Sequence, residues 1–527
     1  MQIFRTLLII SHRYLGILLS SMFVVWFVSA FFMIYAGGMP RITPDMQIDG
    51  MQALDFSKVN ITPAQAVDTA GYSPPYAGMR TILGRPVYEF SEAGYNPILV
   101  AADNGELLGS LTREEGAELA SDFLDVPADL FTFTEELHEP DQWTLSSTSH
   151  MPLYKYVVAD GLGTQVYVSP DNALVSVYTT GQSRALAWLG TIPHWLYFSG
   201  LRNNQPLWYN LVVYLAYGGC ILTVMGLCLG VTQLRKVKPF NLQKAIPYQG
   251  LMRWHYLLGS LFGVITLTWV FSGLVSMEPW KWTTDDGVRV SRDVFQDTAL
   301  ALESFPPPRQ LDFSELGNVE IKQLEFSRLM GSDYLLANYS VPADGRSSKR
   351  DRLHQPYNIN GQSSAATVVM NTRSGSLQQS FATQALVTTL AAAIPQARVS
   401  ESALLSDYDD YYYSRQGQLP LPVLRVKFDD PAVSWIYIDP QRGRLLSQIS
   451  KYSRVERWLF SGLHSLDFAF WYHQRPLWDI GVLLLLCGGL GSSLLGLYFS
   501  VRRIRSDIKT LLAKFLSRKN STKASHV

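Results

Sequence analysis

The sequence predicts a membrane protein: four transmembrane α-helices arranged as two repeats of the same direction, with two extracytoplasmic α+β domains. Three observations predict it. Four long stretches carry no charged residue, the two halves of the chain align with each other, and Lys and Arg collect in the short segments flanking the apolar stretches.

The charge-free stretches run Tyr14–Ala36, Leu207–Leu234, Tyr256–Met277 and Ile480–Val501. Each matches the roughly 20 apolar residues needed to cross a hydrocarbon core of about 30 Å. The chain of 527 residues is 47% hydrophobic and only 17% charged, which suits a protein partly solvated by lipid. Ala36-Gly37-Gly38 invites reading the first stretch as a signal peptide. Its apolar run exceeds the about 7–15 residues of an h-region, so it reads as an uncleaved helix. The expected division is a first span within 1–36 and an outside domain over 37–206. A span at 207–234, a cytoplasmic loop at 235–253 and a span at 254–277 follow. A second outside domain covers 278–479, a fourth span 480–501 and a basic tail 502–527.

Orientation follows from the flanks. Residues up to Arg13, the loop between spans two and three, and the tail after span four hold 15 basic residues and one acid, Asp507. The long segments keep the remaining 29 basic and 43 acidic residues, so the net charge of zero conceals a strong asymmetry. Both termini and the short loop are therefore expected in the cytoplasm. Lipid is the expected partner of the basic tail. No nucleic-acid partner is expected.

The alignment of the halves is regular. At an offset of 243, His12 falls on His255, Gly16 on Gly259, Trp26 on Trp269 and Ser29 on Ser272. At an offset of 270, Gly105 falls on Gly375, Tyr167 on Tyr437, Arg184 on Arg454, His194 on His464 and Trp208 on Trp478. Gly218, Gly219 and Gly226 fall on Gly488, Gly489 and Gly496. The second outside segment is 27 residues longer, and the Ser/Arg/Gly-rich stretch Gly345–Ser364 is expected to be part of the extra length.

Within the outside segments, Ala101–Gly109 reads as a strand entering an Asn-Gly turn. Leu111–Leu124 reads as a helix with Thr112 at its N-cap and Glu115 three residues on. Tyr154–Ala159 with Gln165–Ser169, and Leu424–Phe428 with Trp435–Asp439, alternate like hairpins. Cys220, Cys228 and Cys487 all lie in apolar spans, so no disulfide framework is implied. No CxxC or CxxCH, nucleophile motif or phosphate loop occurs.

Both repeats run from inside to outside, so equivalent residues share a depth and can face each other across an axis along the membrane normal. His12 and His255 open spans one and three near the cytoplasmic face. His194 and His464 precede spans two and four near the outer face. Neutral imidazoles are good axial ligands for haem iron, and two of them leave no open position, which suits electron transfer. Gly16, Gly259, Gly263, Gly218, Gly219, Gly488 and Gly489 either clear a slot for a flat ring or permit close helix packing. Arg13, Arg253, Arg184 and Arg454 are candidate partners for haem propionates. Trp208, Trp478, Trp195 and Trp254 read as interfacial anchors. Trp26 and Trp269 read as packing or as residues between two haems. On the outer face, His473 with Tyr472 and Arg475 is a candidate substrate site or a solvated surface group. Asp407–Tyr413 is a candidate cation or ferric-chelate loop, or a loop packed on its own domain.

Particular stretches carry a family likeness. Pro420–Arg425 (PLPVLR), Tyr437–Leu445 (YIDPQRGRL), Arg457–Phe468 (RWLFSGLHSLDF) and Arg475–Asp479 (RPLWD) resemble the PepSY-associated transmembrane proteins. So does the opening His12-Arg13-Tyr14-Leu15-Gly16. Ile61–Ala70 (ITPAQAVDTA), with the later Asn104-Gly105-Glu106-Leu107 turn, resembles a PepSY domain. The family includes iron-regulated inner-membrane proteins and siderophore-iron reductases with two haems b. The resemblance implies His12, His255, His194 and His464 as axial ligands of two haems b in a bacterial inner membrane, with PepSY-like periplasmic domains. The first repeat departs from the pattern, with His194-Trp195-Leu196-Tyr197 where the second has His464-Ser465-Leu466-Asp467. The function expected is reduction of a periplasmic ferric siderophore or other ferric chelate. With no GxGxxG fingerprint or flavin motif, electrons would come from a separate cytoplasmic reductase or quinol. The alternative is a haem-free, membrane-anchored PepSY module that binds or regulates a periplasmic partner or peptidase.

Overall fold

The computed structural model describes residues 2–36, 38–72, 75–92, 94–235, 237, 241–281, 287–297, 300–317, 319–340, 365–414 and 419–524. The chain divides into a helical unit (1–38, 186–283 and 455–527) and an α+β unit (39–185 and 284–454). Gly345–Ser364, the expected part of the extra length, lies outside the described residues.

The helical unit holds helix I (Gln2–Ala36), helix II (Gln205–Thr232), helix III (Gly250–Ser276) and helix IV (Leu477–Ala524). All four are long and apolar enough to cross a membrane. Lipid offers the backbone no hydrogen-bond partner, so an apolar run of this length satisfies its N–H and C=O groups as helix. Asn204 caps helix II by accepting the Leu207 N–H, and Pro206 sits in the first turn, where no intrahelical N–H is needed. Helix I packs against II and IV, and helix III packs against the same two. Helix IV is 48 residues long, about 72 Å at 1.5 Å per residue, more than twice a 30 Å hydrocarbon core. The basic segment expected as a tail is thus a continuation of the helix as far as Ala524.

Glycines let these helices approach closely. A Cβ at Gly489 would lie 2.2 Å from the Phe27 ring, and one at Gly488 would lie 2.5 Å from the Phe262 ring. One at Gly219 would meet Val270 at 2.9 Å and Phe23 at 3.3 Å. Side chains of neighbouring helices therefore fill the space at these glycines, the packing role of the two that the sequence leaves open. Gly489→Ala is expected to cost about 1–3 kcal/mol through overpacking, read as a lower thermal midpoint in detergent. Gly16→Ala, whose Cβ meets only Leu222 at 3.9 Å, should leave that midpoint unchanged.

Among the described residues the α+β unit contains three sheets. The largest has eight strands: β1 (Tyr76–Ile82), β2 (Arg85–Ser91), β3 (Ile98–Ala101), β4 (Leu107–Leu108), β9 (Ile321–Leu329), β10 (Ser332–Ser340), β11 (Ala365–Asn371) and β12 (Leu377–Gln378). Their order is β12-β11-β10-β9-β1-β2-β3-β4. Four strands come from each long segment, joined by antiparallel pairing of β1 with β9 from Ala77↔Phe326 to Arg80↔Gln323. The sequence reading separates these segments into two domains, whereas the structure closes them into one unit through this seam. A β3–β4 hairpin turns at Gly105, whose φ of 80° is a conformation that glycine adopts freely.

Each segment also contributes a four-stranded antiparallel meander. The first is β5 (Phe131–Leu137), β6 (Leu153–Val158), β7 (Gln165–Ser169) and β8 (Leu174–Thr179). The second is β13 (Val399–Leu405), β14 (Val423–Phe428), β15 (Trp435–Asp439) and β16 (Arg444–Ile449). The expected hairpins are present as β6–β7 and β14–β15. Helix Arg113–Leu124 packs on the first meander and starts in a full capping box between Thr112 and Glu115. A buried cation braces the first half. Arg80 of β1, 4% exposed, donates to Glu89 at 2.7 Å and to the Ala173 and Asn172 carbonyls at 2.8 and 2.7 Å.

Candidate functional site: four paired histidines

The four repeated histidines sit on recurring local frames. His12 on helix I donates from Nδ1 to the Leu222 carbonyl of helix II at 3.2 Å. His255 on helix III donates likewise to the Ser492 carbonyl of helix IV at 3.1 Å. Leu222 and Ser492 are themselves 270 residues apart. One turn on, Gly226 and Gly496 leave room for the rings: a Cβ there would lie 3.0 Å from His12 Cε1 and 3.5 Å from His255 Cε1.

His194 lies in the short helix Thr191–Trp195, and His464 in the turn Leu463–Ser465 that follows a π-helical stretch, Trp458–Gly462. Leu196 and Leu466, two residues beyond each histidine, have φ of 52° and 49°. Left-handed backbone costs a branched residue about 1–2 kcal/mol, and here it reverses the chain directly after the imidazole. His194 Nδ1 is 3.0 Å from Ser29 Oγ, and His464 Nδ1 is 3.1 Å from both Ser272 Oγ and the Trp269 carbonyl. The two rings face each other with centroids 6.1 Å apart and planes at 75°. Phe460 stacks on His464 at 5.1 Å.

The spacing of the outer pair is compatible with an iron porphyrin held from both faces. A carbonyl can only accept, so Nδ1 carries the hydrogen in His12, His255 and His464, and Nε2 keeps its electron pair. Metal-bound histidines are oriented in this way by their second nitrogen. Two imidazoles bonded end-on to one metal at roughly 2 Å each would place their centroids about 6 Å apart, matching the outer pair. Among the described residues, no group of three or more His, Cys, Asp or Glu side chains gathers as a separate metal site.

The other candidates are placed as follows. Arg13 is exposed and Arg253 half-buried. Arg184 donates to Thr179 Oγ1 and the Gly163 carbonyl, both at 2.8 Å. Arg454 donates to the Val433 carbonyl at 2.9 Å and lies over the Trp435 ring. Both guanidinium groups thus serve turns of the α+β unit, because each folds back onto the sheet it follows. The cation that sequence reasoning missed is Arg457, which donates to the Asp467 carbonyl at 3.1 Å beside His464.

Tyr472, His473 and Arg475 do come together. His473 is edge-on to Tyr472 at 5.4 Å, and Arg475 lies over Tyr472 and Trp478 while paired with Asp479. Asp479 also accepts from Tyr35 at 3.1 Å. In the Asp407–Tyr413 loop, Asp409 accepts from the Tyr411 and Tyr412 N–H groups, the Tyr437 hydroxyl and Arg425. Burial alone would raise the Asp409 pKa, but these donors outweigh it and hold the carboxyl below the ordinary range. The loop is packed on its own sheet, as is the matching Asp141, which accepts from Trp143, Thr144, Tyr167 and Lys155.

Trp195 and Trp254 are exposed, as expected of anchors, but Trp478 is 3% exposed and donates to the Leu466 carbonyl at 2.9 Å. The chain between His464 and helix IV covers it. Trp26 donates to the His194 carbonyl at 3.1 Å, and Trp269 offers its carbonyl to His464. Sequence reasoning missed roles for Ser29, Ser272, Gly226 and Gly496. The signal was their recurrence in the aligned halves.

Comparison with protein-family models and with curated proteins finds no match for this chain.

Proposed function

We propose that this protein is a di-haem electron conduit of a bacterial inner membrane that reduces a ferric chelate, such as a ferric siderophore, in the periplasm. The observation that carries the reading is the common state of four imidazoles. Each is engaged at Nδ1 by a carbonyl or a serine, so Nε2 is the nitrogen left to meet a metal.

On this reading His12 and His255 hold an inner haem b, and His194 and His464 an outer one. Bound haem would supply one-electron iron chemistry, with these imidazoles as the residues that would hold it. The chain's own residues supply the rest. Carbonyls of helices II and IV fix the inner rings, and Ser29, Ser272 and the Trp269 carbonyl fix the outer ones. Leu19, Phe23, Phe27, Leu222 and Leu486 exclude water from the bundle between the two levels.

The basic flanks support cytoplasmic termini and periplasmic placement of the α+β unit. The matching histidine frames and the β6–β8 and β14–β16 strands, which begin 270 residues apart, support an internal duplication. The two meanders, the first with its capped helix Arg113–Leu124, support the PepSY likeness. The electron donor would be a cytoplasmic reductase or membrane quinol.

A pyridine haemochromogen assay on purified protein is expected to give two haems b per chain. Protein that stays colourless after expression with ample haem sinks the proposal and favours the haem-free binding module.

A further inference from the structure

One arginine close to the outer histidine pair has no acid beside it among the described residues. Residues 186–206 carry a single Lys, Arg, Asp or Glu side chain, Arg202, at the end of the short helix Ser199–Arg202. Its guanidinium lies over the rings of Tyr197 at 5.2 Å and Trp208 at 4.7 Å. Its Nε is buried without a hydrogen-bond partner, and no carboxylate pairs with the group. Ring faces attract a cation, but they leave its charge uncancelled and its in-plane N–H groups unfilled.

The second half builds a similar platform and neutralises it. Arg475 lies over Tyr472 and Trp478 and is paired with Asp479, and Arg457 lies 3.9 Å from Asp467. In the first half the position of Asp479 is taken by Tyr209, and that of Asp467 by Tyr197, a ring under Arg202. The first half thus keeps a cation and has tyrosine in place of both acids.

The platform is fastened to the backbone that carries His194. Trp208 donates from Nε1 to the carbonyl of Trp195, the next residue, at 2.9 Å, and Trp195 lies edge-on to Tyr197 at 5.9 Å. Arg184 and Arg454, by contrast, belong to the α+β unit and donate to its turns.

We propose that Arg202 is a haem-binding residue whose guanidinium takes a propionate carboxylate of the outer haem. The inference rests on the di-haem reading. A carboxylate supplies the negative charge and the paired acceptors that the site lacks, in a two-pronged, charge-assisted hydrogen bond. A lipid phosphate offers the same chemistry, and the test separates the two sources.

The test compares full-length wild type, Arg202→Met and Arg202→Lys in detergent, loaded either with haem or with haem dimethyl ester, whose propionates carry no charge. Haem loss to excess apomyoglobin and the midpoint potentials are measured. With haem, Arg202→Met is expected to release one of two haems roughly 10–100-fold faster than wild type. The midpoint of that haem should fall by about 30–60 mV, a roughly three- to tenfold shift toward ferric iron, because an unpaired propionate favours the more positive state. Arg202→Lys keeps the charge without the fork. It should lose haem at an intermediate rate with a wild-type midpoint, and it keeps the comparison available if the methionine variant fails to fold. With the ester, the loss rates of the three proteins should agree within about threefold, since the pairing is already gone. Equal haem loss from wild type and both variants, or a difference that persists with the ester, overturns the assignment while leaving the di-haem reading intact. Equal haem loss with weaker binding of phosphatidylglycerol vesicles by Arg202→Met overturns it in favour of lipid. Wild-type protein without haem overturns both.

Discussion

On the di-haem proposal, replacing His194 with alanine is expected to take the haem content from two per chain to one and to lower ferric-chelate reduction by more than about 100-fold, since a ligand counts for more than its outer-shell partners. The geometry makes the effect selective. His194 and His464 are the facing pair at 6.1 Å, whereas His12 and His255 are held by carbonyls of other helical turns. The inner haem should therefore persist, with its reduction by donor intact and its reoxidation by chelate lost. His464→Ala should behave alike. His473→Ala should keep both haems, because His473 contacts Tyr472 on its own short helix rather than the paired rings. Haem quantification with stopped-flow reduction of each variant checks the result. Two haems retained in His194→Ala would remove that residue from the ligand set.

The largest stability effect is expected at Arg80. Its guanidinium joins β1 to Glu89 on β2 and to the β7–β8 turn through the Asn172 and Ala173 carbonyls, and the Arg80 side chain is 5% exposed. Removing one partner of a buried ion pair costs about 3–5 kcal/mol, because the other charge stays behind unpaired. Arg80→Met keeps most of the volume but leaves Glu89, 18% exposed, and two carbonyls without a donor. Chemical unfolding followed by tryptophan fluorescence should show the unfolding free energy fall by this amount, with a lower midpoint. The control Arg113→Met removes an arginine that is 55% exposed and whose partner lies 3.7 Å away, and it should change the midpoint little.

What was legible in the sequence is what local rules determine. Absence of charge marked all four long helices, alternation marked the β6–β7 and β14–β15 hairpins, and Thr112 with Glu115 marked a helix start that the structure caps as expected. Features that depend on distant partners were not legible. The β1–β9 seam joins strands about 245 positions apart and carries no local signature. Arg184 and Arg454 follow strands closely, and only the folded turns show carbonyls waiting for them. Ser29 and Ser272 stood out in the alignment of the halves, but a role emerges only when a third element brings an imidazole within 3.1 Å.

The β1–β9 seam also sets an order of events during synthesis. Ile82 ends β1 and Ile321 begins β9, so the ribosome must add 239 residues, including helices II and III, before the strand that covers β1 exists. At about 5–20 residues per second this takes roughly 10–50 s. For that interval the first half of the sheet has a bare edge of unpaired N–H and C=O groups, the feature by which strands recruit neighbouring chains. The time of greatest risk of aggregation thus falls between insertion of the first helix and arrival of the second half. A chain interrupted after helix II would be left permanently at that stage.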